Sequence, residues 1–324
     1  MCIRDRPSGE LHIGNYLGAV KNWVELQRSY ESFFCVVDYH AITIPYEPDD
    51  LRTRRREMMV SLLASGLDPS VATVFAQSMV PEHTELAWIF NTVTPLGELE
   101  RQTQFKDKSA KQESVMAGLL NYPILQAADI LLYRASAVPV GADQVPHIEL
   151  TREIARRFNH LYGPIFPEPQ ALLSASPRVA GLDGRKMSKS YGNAISLDED
   201  LGSVEQRLGR MATDPRRVRR TDPGDPADCP AFRLHQVYCT PDEIEYVTAG
   251  CKTASIGCLD CKKVMIKHVV ADLARHRERR AAMAARYGSV GEVLHAGGTR
   301  ARVEAQATMH DVRAKLGFGG AREV

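Results

Sequence analysis

Through the first two-thirds of the chain, short unbroken apolar runs alternate with longer stretches in which apolar residues return every three or four positions. The run Ser32-Phe33-Phe34-Cys35-Val36-Val37-Asp38 has no polar residue in its interior, which predicts a strand buried on both faces. Residues 71–77 and 136–140 read as further strands. Between them the period lengthens. A helix is predicted over 50–63, with Pro48 and Asp49 at its start and Gly66 just past its end. Others are predicted around 84–91, over 112–133 and over 146–160. Strand and helix in alternation, joined by short connections, predict the α/β class: a Rossmann-like, doubly wound parallel sheet.

Beyond residue 196 the pattern changes. Strand-like runs disappear, Arg and Ala rise, and residues 222–230 form a Pro/Asp-rich turn region. Residues 202–211, 241–249 and 262–287 read as helices. Two domains are therefore expected, an α/β domain over 1–191 and a C-terminal helical domain over 192–324. Residues 316–322 read as a frayed tail.

The chain has 324 residues, 41 basic and 40 acidic side chains, for a net charge of +1. That balance excludes a globally basic nucleic-acid binder while leaving room for local basic patches. No run of about 18 apolar residues occurs, so no membrane span is expected. The most apolar stretch, 115–133, is broken by Asn121, Pro123, Gln126 and Asp129. Without an apolar signal region the expected compartment is cytoplasmic, where disulfides are rare. The seven cysteines then need another explanation.

Two segments carry candidate phosphate chemistry. Residues 7–18, Pro-Ser-Gly-Glu-Leu-His-Ile-Gly-Asn-Tyr-Leu-Gly, stand at the head of the first long helix. Exposed amides and the positive helix end favour phosphate there, and glycine permits close backbone approach. His12 can donate to phosphate oxygens and Asn15 to ribose or phosphate. The alternative is that the glycines only shape a turn and His12 only caps the helix. The second segment, residues 184–193, sets Lys186 and Lys189 three apart among glycines and serines. Such a loop can deliver positive charge to phosphates, although a lone charged loop is more often merely solvated.

Taken together, His12-Ile13-Gly14-Asn15 and Lys186-Met187-Ser188-Lys189-Ser190 resemble the two signature motifs of class I aminoacyl-tRNA synthetases. Blocks 38–43 (DYHAIT), 97–108 (GELERQTQFKDK), 122–133, 140–144 (VGADQ) and 147–153 (HIELTRE) resemble the bacterial tryptophanyl-tRNA synthetase family. The resemblance covers nearly the whole chain from Pro7. It implies activation of L-tryptophan by ATP and transfer to tRNA(Trp), chemistry that rests on positioning and charge stabilisation. By resemblance, His12, Asn15, Lys186 and Lys189 are catalytic. Arg6, Pro7, Ser8, Gly14, Asn15, Gly141, Ala142, Asp143, Lys186, Met187, Ser188, Lys189 and Ser190 would bind ATP, with Mg²⁺ bridging the phosphates. A homodimer is also implied.

The choice of amino acid turns on Asp129, a carboxylate in an otherwise apolar helix that must be paired. A generic partner would be an arginine or a backbone amide. By resemblance it instead accepts the indole N–H, so that phenylalanine is rejected by roughly 10⁴–10⁵-fold. Tyr122 and Gln144 would hold the α-ammonium and His40 would line the cavity. One departure stands out. Family members start with an apolar strand, whereas residues 1–6, Met-Cys-Ile-Arg-Asp-Arg, carry three charges. They make a poor buried strand and read as a truncated or misassembled start. Arg6 stands where a glutamine that contacts ATP is common.

Cys229, Cys251, Cys258 and Cys261 form C-x21-C-x6-C-x2-C, a spacing able to supply four thiolates to one metal centre. A subset of the family with this arrangement carries a 4Fe–4S cluster, so such a cluster is expected; zinc or no metal are the alternatives. Cys239 reads as a spare buried hydrophobe, Cys2 as a free thiol and Cys35 as a core residue. Arg207, Arg210, Arg216, Arg217, Arg219 and Arg220, then Lys262, Lys263, Lys267, Arg275, Arg277, Arg279 and Arg280, form two basic stretches suited to tRNA phosphates. Rival readings are a tyrosyl-tRNA synthetase, a non-tRNA nucleotidyltransferase and an inactive RNA-binding or iron–sulfur-sensing paralogue.

Overall fold

The computed structural model describes residues 1–5, 7, 11–102, 105–106, 114–173, 179–286 and 290–318. Strand β1 (Cys2–Asp5) pairs in parallel with β2 (Phe33–Val36), which pairs in parallel with β3 (Thr73–Ala76). Ile3 stands opposite Phe34 and Phe34 opposite Val74. A second parallel pair, β4 (Ala137–Val140) and β5 (Gln170–Leu173), sets β4 beside β1. The expected strands at 32–38, 71–77 and 136–140 are all present, trimmed at their ends. β5 was not anticipated; its half-exposed residues lack a continuous apolar run.

The start of the chain corrects an expectation. Residues 2–5 do form a strand despite their charges. Met1, Cys2 and Ile3 are buried, and the cost of Arg4 is offset because its guanidinium reaches the Asp129 carboxylate (Nη1 to Oδ2, 3.4 Å). Cys2 is a free thiol, as expected, and it is fully enclosed.

Helix α1 runs through Ile13–Asn15, Tyr16–Val20 and Lys21–Leu26, its middle turn π-helical. α2 (Pro48–Ala64), α3 (Glu82–Val93), α4 (Ala117–Leu131) and α5 (Val145–Tyr162) follow. Then come α6 (Leu201–Gly209), α7 (Pro230–Tyr238), α8 (Pro241–Lys252), α9 (Cys258–Arg286) and α10 (Val290–Lys315). Neither α7 nor α10 was legible in the pattern. The buried face of α10 places Gly297, Gly298, Ala301 and Ala305 between Val293/Leu294 and Met309/Val312, so its apolar signal is interrupted. Close approach explains that choice: a Cβ on Gly297 would lie 1.7 Å from the Val74 carbonyl oxygen. Of the expected tail, Leu316 packs against the core formed by α3, α4 and α5, while 319–322 lie outside the described residues.

Chain order reverses between β1 and β4. In open α/β sheets, ligands bind beyond the carboxyl ends of the strands at such a reversal. The segments following β1 and β4 are those that carry Gly14 and Gly141.

Candidate active site

Beyond β1, His12 caps α1. Its Nδ1 accepts the Asn15 backbone N–H at 3.2 Å, and Asn15 Oδ1 accepts the His12 N–H at 3.2 Å. The cap and the phosphate reading therefore coexist. With Nδ1 committed as an acceptor, Nε2 carries the proton and is the donor left for a ligand. Burial pushes the His12 pKa down to about 4, helped by Lys189 and Lys186, so the ring is neutral at pH 7. Asn15 similarly keeps its Nδ2 donor for a ligand.

The lysine loop closes on this cap. The Gly14 N–H points at Met187 Sδ (3.3 Å), the Ile13 N–H donates to the Ile195 carbonyl (3.0 Å), and Leu197 N–H donates to Leu11 (2.9 Å). A Cβ on Gly14 would sit 2.9 Å from the His12 ring and 3.3 Å from Met187 Cβ, so only glycine fits without displacement. Buried Asn193 pins the loop from within: its Oδ1 accepts the Ser188 N–H (2.8 Å), and its Nδ2 donates to Asp183 (2.7 Å) and the Lys186 carbonyl (3.2 Å). The structure thus brings together His12, Gly14, Asn15, Lys186, Met187, Ser188 and Lys189. Pro7 is buried; Arg6, Ser8 and the Ser190 side chain lie outside the described residues.

Beyond β4, Gly141, Ala142 and Asp143 form an exposed turn into α5, and Gln144 Nε2 donates to Asp143 Oδ2 at 3.0 Å. Gln144 is thus turned toward its neighbour and makes no described hydrogen bond to Tyr122 or Asp129.

Asp129 is fully buried on α4 and receives four nitrogens. Gln77 Nε2 (2.6 Å) and His83 Nδ1 (2.7 Å) approach Oδ1; His40 Nε2 (2.8 Å) and Arg4 Nη1 (3.4 Å) approach Oδ2. Burial alone would push this carboxyl up. The charge and hydrogen bond of His40 and the proximity of His83 outweigh it and hold the pKa well below the usual carboxylate range. His40 therefore stands against Asp129 as a buried partner. Tyr122, two turns before Asp129, hydrogen-bonds His147 (3.2 Å) and stands edge-on to the His40 ring, 6.3 Å between centroids. Gln77, His83 and His147 escaped the sequence reading. Gln77 ends a predicted strand, a position that signals a site; His83 stands among Glu82, Thr84 and Glu85 like an ordinary surface residue, and His147 was read only as part of the 147–153 block.

The pattern of class I tRNA synthetases for tryptophan and tyrosine matches residues 4–273. The tryptophan–tRNA ligase of Deinococcus radiodurans is 51% identical over 319 residues, 97% of each chain. The chain belongs to the tryptophan–tRNA ligase family. The Thermotoga maritima ligase is 47% identical over 314 residues, 95% of this chain and 96% of that one. A Campylobacter jejuni tryptophanyl-tRNA synthetase structure, complexed with ADP and tryptophan, matches with a TM-score of 0.89 at 34% identity, over 98% of this chain and 99% of that one. Membership makes this an aminoacyl-tRNA ligase.

In the helical part of this ligase, Cys229, Cys251, Cys258 and Cys261 line one small cavity with Arg217 and His235. Burial pushes the Cys261 thiol up to about 12, reinforced by the other three thiols. Cys239 corrects an expectation: it is half-buried, with Sγ 3.3 Å from His235 Nδ1 and near Glu243 and His268. The basic stretches also need correction. Lys262 is buried, and its Nζ donates to the Gly209 and Met211 carbonyls (2.8 and 2.5 Å), a structural cap unavailable to phosphate. Arg207 is bound to Glu199, Arg216 to Asp214 and Asp228, and Arg280 to Asp198 and Glu57. Lys263, with a side chain 75% exposed, remains on the surface.

Proposed function

We propose that this chain activates L-tryptophan with ATP and transfers it to tRNA(Trp). A carboxylate oxygen of tryptophan bonds to the α-phosphorus while the bond to the bridging pyrophosphate oxygen breaks, giving tryptophanyl-adenylate and pyrophosphate. A terminal ribose hydroxyl then attacks the carbonyl and AMP leaves. The reading rests above all on one observation: the 186–189 loop and the segment after it are locked onto the 12–15 cap, beyond the strand that borders the second parallel pair. Helix amides, His12 Nε2 and Asn15 Nδ2 would hold phosphate oxygens, and Lys186 and Lys189 would offset charge on departing pyrophosphate. Gly141, Ala142 and Asp143 would meet the nucleoside, with Arg6, Pro7, Ser8 and Ser190 completing the ATP site. Mg²⁺, held by the substrate and not by a dedicated protein cage, would supply further neutralisation of phosphate charge. Asp129 would accept the indole N–H beside His40; Tyr122 and, once its bond to Asp143 opens, Gln144 would hold the α-ammonium. Charging of a tRNA(Trp) transcript with labelled tryptophan tests the whole sequence: ATP-dependent product supports it, and charging with tyrosine alone contradicts it.

We assign adenylate chemistry to 1–191 and tRNA recognition to 192–324, with α10 packing back onto β3 and α3 of the first part. For the cysteines we favour a 4Fe–4S cluster on Cys229, Cys251, Cys258 and Cys261. The reading is supported by the one cavity that all four cysteines line together. Such a cluster would supply a rigid cross-link between α7, α8 and α9. Anaerobic protein without iron or charge-transfer absorbance would refute it. For tRNA, the exposed surface directs the test to Lys263: K263E should weaken aminoacylation several-fold while pyrophosphate exchange stays unchanged, and equal loss of both steps would count against it. A homodimer is supported by the exposed Trp88, Leu96 and Met116 around α3 and α4, an apolar surface that a second copy would cover. Sedimentation of a W88E variant as a smaller species than the parent checks that. No helix among the described residues is long and apolar enough to cross a membrane.

A further inference from the structure

The four donors on Asp129 are not equivalent. An ionised carboxylate has about four acceptor positions, two on each oxygen, so a fifth donor enters only when one of the four leaves. Gln77 and His40 hydrogen-bond the carboxylate at 2.6 and 2.8 Å, and His83 Nδ1 is held 2.7 Å from Oδ1 without hydrogen-bond alignment, so that it fills the space on that oxygen; all three side chains are buried. Arg4 makes the long contact, 3.4 Å. Its side chain is 11% exposed, against 3% for His40 and 0% for His83, so among these partners it faces the way out. Its Nε is buried without a hydrogen-bond partner, which leaves the guanidinium poorly satisfied where it stands. Three residues before Asp129 on α4, Gln126 Nε2 is also buried without a partner. With the longest contact and the least buried side chain, the arginine is the donor whose departure costs least.

We propose that Arg4 competes with the indole N–H of tryptophan for Asp129 Oδ2, so that this residue sets the tryptophan affinity of the chain and the amino acid binds by displacing its guanidinium. The proposal rests on the assignment of Asp129 as indole acceptor. It makes the fourth residue, on β1, a specificity determinant: a ligand without an N–H has nothing to offer in exchange for the ion pair and is rejected more strongly.

The test compares the parent chain with R4A and R4Q in ATP–pyrophosphate exchange, with circular dichroism to confirm folding. The KM for tryptophan should fall about tenfold or more in R4A, the equivalent of roughly 1.4 kcal/mol, while the KM for ATP stays within twofold. R4Q, a neutral donor of similar reach, should fall between. If R4A does not fold, R4Q carries the comparison. A tryptophan KM that is unchanged or raised in the folded variants overturns the proposal. Absence of tryptophan-dependent exchange from the parent and both variants overturns the Asp129 assignment as well. Exchange in R4A from a silent parent is the strongest support.

Discussion

Replacing Asp129 by asparagine changes one oxygen into an NH₂ group at the centre of four nitrogen donors. If the remaining oxygen keeps Gln77 (2.6 Å) and His83 (2.7 Å), the amide nitrogen faces His40 and Arg4. His40 can switch tautomer and accept; a guanidinium cannot. The loss is then one partly buried ion pair and an orphaned arginine, about 1–3 kcal/mol of stability. The effect on the reaction should be larger, because the indole N–H would meet a donor instead of an acceptor. A fall of about 10²–10³ in kcat/KM for tryptophan is expected, roughly 3–4 kcal/mol in transition-state binding, with the KM for ATP unchanged. Stability should also lose part of its acid sensitivity. The Asp129 pKa is depressed in the folded chain, so its contribution is present above the unfolded carboxylate value, about 3.9, and is lost as pH falls below it. D129N should flatten that region of the stability profile. Urea titrations at several pH values and pyrophosphate exchange measure both effects. A folded D129N enzyme whose kcat/KM for tryptophan stays within threefold of the parent would refute the reasoning.

Three further outcomes follow from other parts of the fold. G14A should raise the KM for ATP while leaving that for tryptophan unchanged, because the new methyl must push against the His12 ring and Met187; equal changes in both would place Gly14 elsewhere in the mechanism. G297A should destabilise by about 3 kcal/mol or more through collision with the Val74 carbonyl, and a melting temperature within a degree of the parent would show that α10 does not sit so close to β3. The His12 ring should titrate near 4 and stay neutral from pH 6 to 8. Its depressed value means that the folded chain binds fewer protons than the unfolded one between about 6.5 and 4, so H12Q should lessen the loss of stability as pH falls through that window; an imidazole resonance shifting near pH 6.5 would contradict this.

Much of the parallel sheet was legible because buried strands must be unbroken apolar runs, as at Phe33–Val36. The nucleotide end was legible because phosphate chemistry concentrates glycine and lysine at short range. What stayed hidden depended on long-range pairing. Arg4 looked incompatible with a strand until Asp129, 125 residues away, supplied its partner. Lys262 looked like a phosphate contact because nothing local shows that two carbonyls, of Gly209 and Met211, wait for its ammonium. His83 was lost among the polar residues Glu82, Thr84 and Glu85 that open its helix, and α10 because glycine and alanine stand at the centre of its buried face between Leu294 and Met309.

The central claim is adenylate formation specific for tryptophan, and ATP–pyrophosphate exchange with tryptophan, tyrosine and phenylalanine in parallel tests it most directly. The account predicts exchange with tryptophan only, in the parent chain or on relief of the Arg4 contact in R4A. Exchange supported by tyrosine in place of tryptophan, or by none of the three in either chain, would contradict it.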